Sequence, residues 1–251
     1  MKRAILSCAA LAVCAAAGVT WARTARTTQA GAPTPQATPA QATPVTRKVS
    51  GRTLTSDEAP RVRIEFGPEF KYAGAQSFVL YDVANAEQHF FVDADAKGAV
   101  RRLYWVQFEG YLPTNQHRYN YKSKTIVNHG GLDFFADSQA RQIPTPPADA
   151  APRPANKISD GDHARAFLAA KGYRLASNEA LWQRLVHMTD ASNRSELMII
   201  YLEDLSGAGL TAADLNEGGK AAARWESVSK ELLERARKGM TITRRQGRGR
   251  L

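Results

Sequence analysis

Beyond residue 22 the sequence has no cysteine, since Cys8 and Cys14 are the only two. A thiol nucleophile, a disulfide and a cysteine-held metal are therefore all excluded from whatever folds after that point. Proline is absent after Pro154, so no helix or strand beyond it is broken by that residue. Histidine is scarce: His89, His117, His129, His163 and His187 never stand in an H-E-x-x-H or other two-ligand spacing, and there is no G-x-S-x-G elbow. The apolar run Ala4 to Val19 has 16 residues, short of the about 20 that span a bilayer.

The formal charge of +10 suggests a nucleic-acid partner until its distribution is counted. Residues 23–63 carry seven bases against two acids, and residues 235–251 carry seven bases and no acid. The stretch between them holds 18 bases and 22 acids. The central region is slightly acidic, which argues against nucleic acid.

Met1-Lys2-Arg3, the apolar run and Thr20-Trp21-Ala22 form the layout of a secretory signal cleaved after Ala22. The expected location is the periplasm or outside the cell. A retained anchor helix is one alternative. Another is lipidation, because Leu11-Ala12-Val13-Cys14 resembles the lipobox of bacterial lipoproteins, although Val13 replaces the small residue before the cysteine. Residues 23–59, with Pro33, Pro35, Pro39 and Pro44 among Thr, Ala and Gln, read as a disordered tether. Residues 60–243 read as one globular domain, interrupted by a Pro-rich loop at 142–157, and residues 244–251 as a basic tail.

Within the domain, Val62, Ile64 and Phe66 alternate with charged residues, and 77–83, 89–92 and 103–108 are rich in aromatic and β-branched side chains. Tyr119 and Tyr121 with Thr125–Val127 suggest another strand. Ser159 to Asp162 offers a helix start, ending near Lys171-Gly172. Leu181–Thr189 and Glu196–Glu203 read as a hairpin around Asp190–Arg194. A long helix is expected from Lys220 to Lys238, with Trp225, Val228, Leu232 and Ala236 on one stripe and Gly239 as its cap. Three acid-to-base pairs, Glu226–Lys230, Glu231–Arg235 and Glu234–Lys238, support it. The expected class is α+β: an antiparallel sheet of five or more strands packed against that C-terminal helix.

Gly207 to Ala212 has G-x-G-x-x-A spacing, but it follows a hairpin strand and no acid-ending strand comes about 20 residues later. It reads as a turn capped by Thr211, and no cofactor is expected. Asp93-Ala94-Asp95 opens like a calcium loop, yet Lys97 and Tyr104 occupy ligand positions, so a hairpin turn is expected and no metal. Asp160, Asp162 and His163 are assigned to a helix start. The remaining acid–base candidates are Glu109, at the end of a strand, and His129, before Gly130-Gly131. Tyr104, Trp105, Phe108 and Glu109 are the expected ligand-binding residues, on the view that an aromatic-rich sheet curves over a cleft.

The leading functional reading is an exported, non-catalytic binding or interaction module for an apolar or amphipathic ligand or an envelope protein. The alternatives are an enzyme with a noncontiguous acid–base site, and an envelope-associated structural protein. The basic tail is expected to meet an anionic envelope surface.

Overall fold

Alternate burial along Val62–Phe66 (β3), with residues 62, 64 and 66 inward, is the local signature of a half-covered strand. It pairs antiparallel with Thr53–Ser56 (β2) and with the distant Met240–Arg244 (β12), while Lys48–Ser50 (β1) pairs with β2. These four form one sheet in the order β1-β2-β3-β12. The computed structural model describes residues 42–144, 151 and 153–245. The expected signal, most of the expected tether, much of the Pro-rich loop and the end of the tail lie outside the described residues.

The larger sheet contains Lys71–Leu80 (β4), Ala84–Ala94 (β5), Ala99–Tyr111 (β6), Thr125–His129 (β7), Leu132–Gln142 (β8), Glu179–Met188 (β10) and Ser195–Asp204 (β11). Its order is β4-β5-β6-β11-β10-β8-β7, all antiparallel, and the two-residue Arg174–Leu175 (β9) adds a parallel pairing to the start of β6. The period-2 rule sends odd and even residues of each strand to opposite faces. One face of this sheet carries Phe91, Tyr104, Val106, Phe108, Leu197, Ile199 and Tyr201. It packs on Leu54, Ile64, Phe66 and Ile242 of the small sheet and on Leu232 and Ala236 of the helix Trp225–Lys238 (α3). The Tyr104 hydroxyl ties the layers together by donating to the Ala236 carbonyl at 2.7 Å.

The other face carries Phe90, Trp105, Val186, Met198 and Ile200, and is partly covered by Asp160–Ala170 (α1) through Ala164, Phe167 and Leu168. Ser159 caps α1 in a reciprocal capping box with Asp162. Thr211 caps the four-residue Ala212–Leu215 (α2) in the same way, so the glycine-rich segment is a capped turn leaving a hairpin strand. Asp95 accepts from the backbone of Lys97 and Ala99, which makes the Asp93–Gly98 segment a hairpin turn.

The molecule is thus mostly antiparallel sheet with a few helices, and several expectations change. The C-terminal helix is short rather than long: α3 has 14 residues, preceded by a 3₁₀ turn at Ala222–Arg224. The chain at Gly219–Ala221 folds back on α2, where the Ala221 amide donates to the Asp214 carbonyl at 2.8 Å, and this delays the helix. Of the three expected side-chain pairs on α3, Glu231–Arg235 closes at 3.6 Å. Tyr119 and Tyr121 lie in the connection before β7 and not in a strand. Ordered structure also begins inside the stretch read as tether, since β1 and β2 lie within 23–59. At the other end β12 extends through Arg244, and Arg245 pairs with Asp57.

Candidate functional site

β6 and β11 are far apart in sequence but adjacent in the sheet, and their register places Glu109 directly opposite Glu196. Both carboxyls therefore project on the α1 side, with Cα atoms about 4.5–5.5 Å apart as in any antiparallel pair. The row continues laterally to Ala86 on β5 and Met188 on β10. The row below it holds Gln88, Gln107, Met198 and Val186.

The β6–β7 connection brings two phenols over these acids. The Tyr119 hydroxyl donates to Glu109 Oε1 at 2.7 Å, and the Tyr121 hydroxyl donates to Glu196 Oε2 at 2.7 Å. The connection is held by the β10–β11 turn: the Tyr119 amide donates to the Asn193 carbonyl, Arg118 to the Ser192 carbonyl, and Arg194 to the carbonyls of His117 and Leu112. Asp190 organises that turn by accepting from the Ser192 and Ser195 amides at 2.7 and 2.8 Å. Although burial opposes its charge, hydrogen bonds from Ser192 and Ser195 hold its carboxyl down at about 2.

Behind the acids a chain of amides crosses three strands. Gln76 donates to Gln88, Gln88 to Gln107, each at 2.7 Å, and Gln107 to Glu109 Oε2 at 2.5 Å. Trp105 Nε1 donates to the Gln107 oxygen at 3.2 Å. Gln88 also donates to the carbonyl of Asp160, at the start of α1.

Burial dominates the electrostatics. Glu196 is 3 % exposed, and its carboxyl is pushed up to about 8 by desolvation first and by the neighbouring Glu109 second. Desolvation likewise raises Glu109 and Asp160, although the hydrogen bond from Tyr119 pulls Glu109 the other way. Two adjacent acids out of water are best accommodated with a proton retained, so at neutral pH this is a hydrogen-bonding carboxyl cluster more than a cation trap. Arg184, whose charge also acts on Glu196, is paired with Asp137 at 2.8 Å and lies over the Tyr121 ring.

The phenols separate the carboxyls from a cavity of about 350 Å³. Its lining includes Tyr119, Tyr121, Phe135 and Met188, with Arg118 and Asn193 at the polar side. The rings form a row: Tyr111 stacks on Tyr119 at 4.5 Å, and Tyr121 lies between Tyr119 and Phe135. A second cavity, of about 410 Å³, is lined by Asp93, Arg101, Arg102, Glu203, Asp204 and Arg235. Those charges are engaged with one another, as in Asp93–Arg102 and Glu203–Arg235 at 2.7 Å each. Among the described residues no group of three or more His, Cys, Asp or Glu side chains is placed to hold a metal ion.

The four expected ligand-binding residues do not line one cavity. Strand alternation sends Tyr104 and Phe108 into the core between the sheets, and Trp105 and Glu109 to the α1 face. Trp105 is packed edge-on against Trp182 and is 3 % exposed. Glu109 stands in the carboxyl cluster. His129 ends β7, with three strands between it and β6, and its Nε2 donates to the Met240 carbonyl at 3.3 Å. Burial lowers its basicity. Sequence reasoning missed Glu196, Tyr119 and Tyr121 as partners of Glu109. The available signal was one acid, Glu196, at the head of the run Leu197–Leu202.

Comparison of the chain with protein-family models, with curated proteins and with solved structures finds no match.

Proposed function

We propose that the chain is an exported binding domain that takes an amphipathic small molecule into the Tyr119–Tyr121 cavity. The observation that carries this reading is that cavity, whose volume falls within the range of small-ligand sites. Its apolar lining, Phe135, Met188 and the tyrosine rings, suits a hydrocarbon body. The tyrosine hydroxyls and the polar side formed by Arg118 and Asn193 suit a head group that exchanges hydrogen bonds. Tyr119 and Tyr121 are oriented by their bonds to Glu109 and Glu196, which limits the ordering cost of binding.

The test is thermal stabilisation by a long-chain amine, an alcohol and a fatty acid. A ligand at about 100 times its dissociation constant adds about 2.7 kcal/mol. Met188→Arg, which fills the cavity, should abolish the effect, and deletion of residues 246–251 should leave it intact. Stabilisation unchanged in Met188→Arg, or none from any of the three probes, defeats the reading.

A second reading, acid–base catalysis, is favoured by the raised carboxyl of Glu196 beside Glu109. It requires that Glu196→Gln keep binding and lose turnover. The setting proposed for either function is the periplasm, with a mature N-terminus at Arg23 that intact-mass measurement would report. There the basic tail contacts anionic envelope surfaces, and the domain's partner is an apolar or amphipathic ligand or an envelope protein.

A further inference from the structure

On the opposite face of the large sheet a second set of chemistry-bearing side chains forms a line from the interior to the surface. Glu87 and His89 alternate along β5 toward the small sheet, and Tyr72 reaches His89 from the edge strand β4. Glu87 Oε1 lies 2.7 Å from His89 Nε2, and the Tyr72 hydroxyl lies 3.2 Å from His89 Nδ1. The segment entering β1 fixes Glu87. The Thr46 amide donates at 3.1 Å, the Arg47 amide at 2.9 Å and Arg47 Nη1 at 2.9 Å. The Arg47 guanidinium is itself seated on the Phe108 ring.

These contacts determine where the protons sit. Burial opposes the charge on Glu87, but the hydrogen bonds from His89 and Arg47 prevail and hold its carboxyl down at about 2. An ionised carboxylate only accepts, so His89 Nε2 is the donor to Glu87. In the singly protonated ring Nδ1 then presents a lone pair to the Tyr72 hydroxyl, which donates. His89 is completely buried, whereas Tyr72 is 36 % exposed. The relay therefore ends on the hydroxyl of a partly exposed tyrosine, directed at an oriented base.

We propose that Tyr72 is a nucleophile for activated acyl groups, with His89 as its general base and Glu87 as the positioning residue. The Tyr72 oxygen attacks the carbonyl carbon of an activated ester while its proton passes to His89 Nδ1. The bond to the leaving alkoxide or phenolate breaks with its electron pair, and an O-acyl tyrosine forms. Burial and the Glu87 charge raise the Tyr72 hydroxyl to about 12, so free phenolate is scarce at neutral pH and the reaction runs through His89.

The probe is p-nitrophenyl acetate, with acetylation followed residue by residue in the full chain by peptide mass spectrometry. Tyr81, 44 % exposed, is the internal reference. General-base assistance predicts acetylation of Tyr72 about a hundredfold faster than of Tyr81. The Tyr72 rate should depend less steeply on pH than the Tyr81 rate, which should climb about tenfold per pH unit with its phenolate. His89→Gln should bring the ratio down to about one, and Glu87→Gln should lower it. The wild-type pH profile decides the matter if either buried variant fails to fold. Equal rates at Tyr72 and Tyr81, or a Tyr72 rate that climbs with pH as Tyr81 does, overturns the assignment.

Discussion

Replacing Glu196 by glutamine should make the protein more stable at neutral pH, although it alters a buried, hydrogen-bonded side chain. The wild-type carboxyl is raised from an ordinary 4.5 to about 8 by burial and by Glu109. Between those two values the unfolded chain has released this proton and the folded chain has kept it. Stability from this group is therefore full below pH 4.5 and is lost as pH rises toward 8. At about 1.4 kcal/mol per unit, the loss by pH 7 is about 3 kcal/mol. Glutamine has no proton to retain, and its oxygen can still accept from Tyr121. Urea unfolding of Glu196→Gln should show a gain of about 3 kcal/mol at pH 7, a rise in Tm of roughly 6–12 °C. The gain should vanish near pH 4.5. Glu109 is raised as well and keeps its own share of the pH dependence, so the slope should diminish without disappearing. A variant less stable than wild type at pH 7, or a slope unchanged between 4.5 and 8, would refute the account of a buried Glu196 that keeps its proton beside Glu109.

Arg47→Ala removes a guanidinium 2.9 Å from the buried Glu87 and strips the Phe108 ring of its cover; urea unfolding should show a loss of about 3 kcal/mol. Gly130→Ala should cost about 2 kcal/mol or more by the same measurement, because φ is +62° and an added Cβ would sit 2.3 Å from the Ile242 carbonyl oxygen.

The β10–β11 hairpin is legible in the sequence because two apolar runs flank a polar turn whose Asp190 caps its own backbone. The start of α1 is legible for the same local reason, Ser159 and Asp162 being three residues apart. β8 is harder to see. Leu132, Phe134, Ala136 and Ala140 are buried and their intervening partners more open, but His129-Gly130-Gly131 reads as a loop. With φ of +62° and +79°, Gly130 and Gly131 make the tight turn that a two-residue hairpin needs. The candidate site depends on a longer-range fact. Glu109 is recognisable as an acid at a strand end, but its neighbour across the ladder is set by the insertion of β11 beside β6. No local pattern encodes that register. Tyr104 and Phe108 failed to join Glu109 for an elementary reason: residues one or five apart on a strand face opposite ways.

The position of β11 also governs how the chain can mature. By the time residue 190 has been synthesised, β4, β5 and β6 on one flank and β7, β8 and β10 on the other all exist, but the strand that joins them does not. The small sheet waits longer still, because β3 must hold an open edge until β12 has been made. Both sheets can therefore be completed only once β11 and β12 have been made, with slow, non-local pairing as the closing event. Loss of the β12 residues would leave β3 exposed as an adhesive edge.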